Sequence, residues 1–121
     1  EGALSDERFD QYLFASDAVI FHKYQNTYHR LLSSVMFQAM GAGCPIFIPQ
    51  QSQYFKPLKD EVVYYSDTED LCRKLVTFCE DEGIAKSVIE SEEVFTHVNS
   101  AEKIAERYID VFTRVLKERG L

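Results

Sequence analysis

The sequence predicts an α/β domain: a small, Rossmann-like sheet of parallel strands with helices on both faces. Two observations carry this. Three short apolar runs, Ala18–His22, Pro45–Pro49 and Val62–Tyr65, are each bounded by polar or turn-forming residues, as strands buried on both sides are. Between and after them lie segments whose apolar residues recur at helical spacing. Buried strands alternating with amphipathic helices fold as a parallel sheet covered on both faces. A complete doubly wound nucleotide domain has about six strands, so three strands correspond to half of one.

The elements follow in order. A first helix is expected over 6–16, with Ser5 as N-cap and Asp6 and Glu7 suited to the positive end of its dipole. Phe9, Tyr12 and Leu13 give it one apolar face. After the strand Ala18–His22, residues 23–32 read as a loop. A short helix from Ser33 or Ser34 stops at Gly41-Ala42-Gly43, because glycine enters the left-handed region without strain. Pro45-Ile46-Phe47-Ile48-Pro49 is a strand closed by proline at both ends. Ser66-Asp67-Thr68-Glu69 has capping-box spacing. It leads a helix whose apolar residues, Leu71, Cys72, Leu75, Phe78 and Cys79, recur up to Gly83. A short helix is expected over Ile84–Ile89. A last helix runs from Asn99 or Ser100 to about Arg119, with the apolar stripe Ile104, Tyr108, Val111, Phe112 and Val115.

Composition excludes several functions. A chain of 121 residues is at most one domain. Its net charge of -7 argues against nucleic acid or an anionic membrane as the main partner. No apolar run reaches transmembrane length. Cys72 and Cys79 lie two helical turns apart, roughly 10 Å, beyond disulfide reach. With Cys44 they read as reduced core thiols, which favours the cytoplasm. His22, His29 and His97 have no metal-ligand spacing, and no metal or cofactor is expected.

Chemistry concentrates in Tyr28–Ile46. A loop after a strand delivers Ser33, Ser34 and Val35 to a helix N-terminus, where free backbone N–H groups and the helix dipole favour an anion. Arg30 lies just upstream, able to meet a phosphate in bidentate geometry. Gln38 follows one turn into the helix, within reach of a hydroxyl pair. Taken locally, Ser33 or Ser34 can equally be a plain helix cap and Arg30 a solvated side chain.

The wider pattern resembles the donor-domain signature of the group 1, family 4-type glycosyltransferases. Ser16-Asp17-Ala18-Val19-Ile20 is similar to that family's "ADV-apolar" strand. Phe37-Gln38-Ala39-Met40-Gly41-Ala42-Gly43-Cys44-Pro45-Ile46-Phe47 resembles its helix ending "E-A-x-A-x-G-x-P-V". Downstream, Ser66–Leu71 is similar to its "d-x-e-x-L" helix start. Phe95-Thr96 with Ile104-Ala105 and Tyr108 resembles its closing segment. The resemblance covers essentially the whole chain.

It implies the second half of the C-terminal, nucleotide-sugar-binding domain of a two-domain GT-B enzyme. The acceptor domain and the first half of the donor domain would lie outside these residues. The family transfers a sugar from a nucleotide-diphosphate sugar to a sugar or glycolipid acceptor, without a bound metal. Two glutamates spaced E-x7-E mark its donor site, with backbone amides between them on the diphosphate. Here those two positions are Arg30 and Gln38, so neither carboxylate is kept. The resemblance therefore implies a binding set of Arg30, Ser33, Ser34, Val35 and Gln38, in a cytoplasmic enzyme or one at the cytoplasmic membrane face. The alternative reading is a non-catalytic binding or assembly module derived from the same fold. The resemblance also leaves the strand Ala18–His22 without its inner neighbour. The chain is then expected to self-associate through that edge, or to cover it with a rearranged terminal segment, and alone to bind nucleotide-sugars weakly if at all.

Overall fold

The computed structural model describes residues 5–22, 34–52 and 58–120. Its elements, in order, are α1 (Asp6–Phe14), β1 (Val19–Ile20), α2 (Ser34–Gly41), β2 (Ile46–Pro49), β3 (Val63–Tyr65), α3 (Thr68–Glu80), α4 (Glu82–Val98) and α5 (Ala101–Glu118). The three strands form one sheet in the order β1-β2-β3, with both pairings parallel. Val19 stands opposite Ile46, and Phe47 opposite Val63. The predicted α/β class, strand number and direction are all found.

β2 is the centre of the molecule, and every one of its residues is buried. Alternate side chains point to opposite faces of a strand. Ile46 and Ile48 therefore join a cluster with Leu13 of α1 and with Met36, Ala39 and Met40 of α2. Phe47 faces the other way, into a cluster with Tyr65 and Leu71, against which Leu75 and Phe78 of α3 pack. The Phe47 and Phe78 rings meet edge to face at 5.5 Å, the geometry that aligns a positive ring edge with a negative ring face. Helices thus cover both faces of the sheet.

The turn from α2 into β2 is built by glycine. Gly43 adopts φ +69°. Its N–H donates to the Met40 carbonyl, and the Cys44 N–H to the Ala39 carbonyl, both at 3.0 Å. This is a Schellman closure, which satisfies the last helical carbonyls in a conformation that suits glycine. Pro45 follows directly and forbids further helix.

Four expectations change. The helix after Ser66 is capped by Asp67, whose carboxylate accepts from the Asp70 N–H at 2.8 Å, while the Asp70 carboxylate accepts from the Ser66 N–H at 2.9 Å. The reciprocal pair is thus one residue later than the Ser66–Glu69 spacing suggests. The helix stops at Asp81, not Gly83, because the Asp81 carboxylate caps the next helix through the Gly83 and Ile84 amides. That next helix, α4, runs 17 residues to Val98 rather than ending at Ile89, since nothing between Ser91 and Val98 breaks a helix. Finally, Cys44 is a buried thiol, but Cys72 and Cys79 are exposed. Each follows an inward residue, Leu71 or Phe78, and one residue turns a helix by about 100°.

α5 stands apart. It is well formed, with Ser100 as N-cap, yet none of its residues is buried. Its predicted stripe is real as a pattern, but Tyr108 and Phe112 remain 62% and 64% exposed. The two aromatic environments give a direct test. Phe47→Ala should cost about 3–5 kcal/mol of unfolding free energy, whereas Phe112→Ala should fall within about 0.5 kcal/mol of the parent. Urea denaturation of both variants of this chain measures the contrast.

Candidate functional site

Parallel strands all end at one edge of the sheet, and in open α/β sheets ligands bind in the crevice outside that carboxyl edge. Here β1 runs out into Phe21 and His22, β2 into Gln50 and Ser52, and β3 into Ser66. The register sets Ile20 opposite Phe47 and Pro49 opposite Tyr65. Two residues on from Ile20, His22 falls in the same cross-strand row as Pro49 and Tyr65.

The outer members of that row meet. His22 Nδ1 lies 3.0 Å from the Tyr65 hydroxyl, and the two rings are nearly parallel, 6° apart in plane with centroids at 6.3 Å. The Tyr65 hydroxyl also lies within donating distance of the Phe21 carbonyl, at 3.4 Å. Tyr65 is completely buried, and His22 is exposed. Nearby, Ser52 follows β2 and donates its N–H to the Pro49 carbonyl at 2.9 Å. Its side-chain hydroxyl is buried and has no partner among the described residues.

α2 must run back beneath the sheet to reach β2, so its N-terminus lies at this same edge. Its first residue is Ser34, which is exposed, and Gln38 follows one turn later, also exposed. Between them Val35 is half-buried against the core. Met36, Ala39 and Met40 supply the buried side. The structure therefore holds three of the five sequence-predicted site residues on one helix, with Ser34 and Gln38 in line on its solvent side. Arg30 and Ser33 lie outside the described residues.

Sequence reading missed His22, Tyr65 and Ser52. Each follows or closes a different strand, and the register brings His22 and Tyr65 together. The one signal available was position, since all three follow or close a predicted strand. Elsewhere, an apolar cleft of about 490 Å³ is lined by Phe37, Phe95, Thr96, Asn99 and Ile104. It holds no charged side chain and is poorly suited to a phosphate. Among the described residues no group of three or more His, Cys, Asp or Glu could hold a metal ion, and no helix is long and apolar enough to cross a membrane.

Glu92 of α4 is a different case. It is 1% exposed, and neither carboxylate oxygen has a hydrogen-bond partner among the described residues. Burial pushes its carboxyl up to about 8, outweighing an opposing pull from the Ile46 backbone amide. The neighbouring Cys44 thiol is raised too, first by burial and then by Glu92 and Asp17. The pH consequence has a definite sign. The folded chain holds the Glu92 proton that the unfolded chain releases near 4.5, so this contribution is complete below that pH and is lost as pH rises toward about 8. By pH 7 the cost is on the order of 3 kcal/mol. Asp67 and Asp70 act in the opposite sense. Asp67 is held low by the Asp70 amide, and Asp70 by the Ser66 amide and then Lys74, so they withdraw stability only under more acidic conditions. Denaturant melts from pH 5 to pH 8 should show falling stability in the parent, and Glu92→Gln should flatten that slope.

No protein-family model, curated protein or solved structure matches this chain.

Proposed function

We propose that this chain is the second half of the nucleotide-sugar-binding domain of a GT-B type glycosyltransferase, contributing the diphosphate and ribose site. One observation supports this most. A parallel sheet in the order β1-β2-β3 has α2 starting at its carboxyl edge, with Ser34 and Gln38 exposed along one side. In the doubly wound order 3-2-1-4-5-6, these strands are the last three. Backbone amides in the first turn of α2 donate to the diphosphate, Arg30 adds a charge-assisted contact, and Gln38 exchanges hydrogen bonds with the ribose. The protein works in the cytoplasm or at the cytoplasmic membrane face, and its sugar or glycolipid acceptor binds through a further domain. The exposure of Cys72 and Cys79 fits a reducing compartment, where such thiols stay free.

A second reading is favoured by Arg30 and Gln38, which stand where the resemblance places two glutamates. A module that has lost those acids can keep the fold and bind without transferring sugar. Activity and binding therefore need separate measurement.

Two outcomes are expected. In the full-length protein, a nucleotide-sugar that binds the native state raises its melting temperature, and Arg30→Ala should weaken nucleotide-diphosphate binding by about 1–3 kcal/mol. A thermal-shift screen followed by calorimetry checks both, and unchanged affinity in the variant would remove Arg30 from the site. The second outcome concerns the sheet edge. β1 pairs with β2 alone among the described residues, and Ile20 is 48% exposed. Such an edge offers a template for another strand. The 121-residue chain should associate with rising concentration in sedimentation, and Ile20→Lys should abolish this.

A further inference from the structure

We propose that Glu92 is a proton-operated latch: with its carboxyl protonated α4 stays docked on the core, and loss of that proton releases α4 and α5 while the sheet and α1–α3 remain folded. The inference is independent of the donor-site reading.

The surroundings of Glu92 offer an ionised carboxylate no compensation. The residue is 1% exposed, and neither oxygen has a hydrogen-bond partner among the described residues. The titratable group coupled to it is the Cys44 thiol, in the turn between α2 and β2, and Asp17 bears on that thiol in turn. Both are neutral or negative. Among the described residues no Lys, Arg or His favours the charged form of Glu92. α2 and β2 carry no charged side chain, and on α3 Arg73 and Lys74 both pair with Asp70. An unpaired charge is too costly to stay buried, so the ionised side chain must reach water.

The packing determines what gives way. Only Val88 and Glu92 of α4 are buried. Phe95, half-buried and stacked on Phe37 at 6.5 Å, is the one α4 side chain packed against the core cluster among the described residues. α5 follows with no buried residue to hold it. Moving β2 or α2 instead would tear open the core, since Ile46, Ile48, Met36 and Ala39 are all at most 1% exposed. A hinge is in place as well: Asp81 is at once the C-cap of α3 and the N-cap of α4. Local opening takes the segment that exposes the least buried surface, and here that segment is α4 with α5.

The opened helix releases the Glu92 proton near 4.5, and the docked one holds it until about 8. The open population should therefore rise about tenfold per pH unit between those values and level off above them. Amide hydrogen exchange of the 121-residue chain, followed by nuclear magnetic resonance from pH 5.5 to pH 9 and corrected for intrinsic rates, tests this. Glu92, Phe95 and Thr96 amides should lose protection at that slope. At every pH they should also exchange at least about tenfold faster than the Phe47 and Ile48 amides of β2, which open only with the whole fold. Glu92→Gln and, as an apolar control, Glu92→Met should remove the pH dependence. Equal protection of α4 and β2 would overturn the proposal, because Glu92 would then act only on global unfolding. So would a flat profile in the parent, or an unchanged slope in both variants.

Discussion

The burial of β2 on both faces is the constraint on which the rest of this structure depends. Ile46, Phe47 and Ile48 are each 0% exposed. A strand in that position cannot tolerate solvent on either side, so helices must cover both. α1 and α2 are recruited by Ile46 and Ile48, and α3 by Phe47. The connection has to be sharp as well. α2 ends, turns through Gly43 and starts β2 within a few residues, which needs the left-handed glycine and the Schellman bonds that satisfy the helix end. Pro45 and Pro49 then bound the strand, and Pro49 in turn spaces His22 from Tyr65.

Polar groups in this fold are unevenly treated. Asp70 shows a satisfied case: its carboxylate accepts from the Ser66 amide and pairs with Lys74 at 3.0 Å. Lys74 also donates to the Tyr64 carbonyl, so α3 is fastened to the end of β3 by charge-assisted bonds. Glu92 is the opposite case. It lies one turn after Val88 and three residues before Phe95, on the inward side of α4. By helical period that position belongs to an apolar residue. Holding the carboxyl neutral is cheaper than burying an unpaired charge, which is why its proton stays on so far above the ordinary carboxylate range. The Ser52 hydroxyl is also buried and has no partner among the described residues, just beyond the end of β2.

These contrasts explain how much the sequence could reveal. Strand number, strand direction and the two-faced sheet were legible because apolar runs and helical periods are local signals. The α2 ending was legible because Gly43 and Pro45 each have one dominant conformational use. The cap of α3 slipped by a residue because Asp67 and Ser66 are both competent caps, and only the bond to Asp70 decides between them. Glu92 was not legible as a buried acid, since beside Glu93 it looks like any surface carboxylate and composition carries no phase. Ser34, Val35 and Gln38 could be placed together on one helix from the sequence alone. The contact of His22 with Tyr65 could not be read there, since it exists only through parallel pairing across 43 residues of chain.

α5 completes the same argument from the other direction. Its sequence is the most regularly amphipathic in the chain, yet it buries no side chain. Its order here comes from local terms: the Ser100 cap, the Lys103–Glu106 pair at 2.8 Å, and the Arg107 guanidinium donating to the Val98 carbonyl at 2.8 Å. Exposed pairs of that kind contribute little, about 0.2–0.5 kcal/mol each, and an uncovered helix of this length is marginal in water. Most helical stability in proteins comes from packing an apolar face. The stripe from Ile104 to Val115 therefore contributes almost nothing to the stability of these residues as they stand. Periodicity specified the helix and its face, but it specifies no partner, and β2 and α5 differ in this alone: one has its covering elements within the chain, and the other does not have them among the described residues.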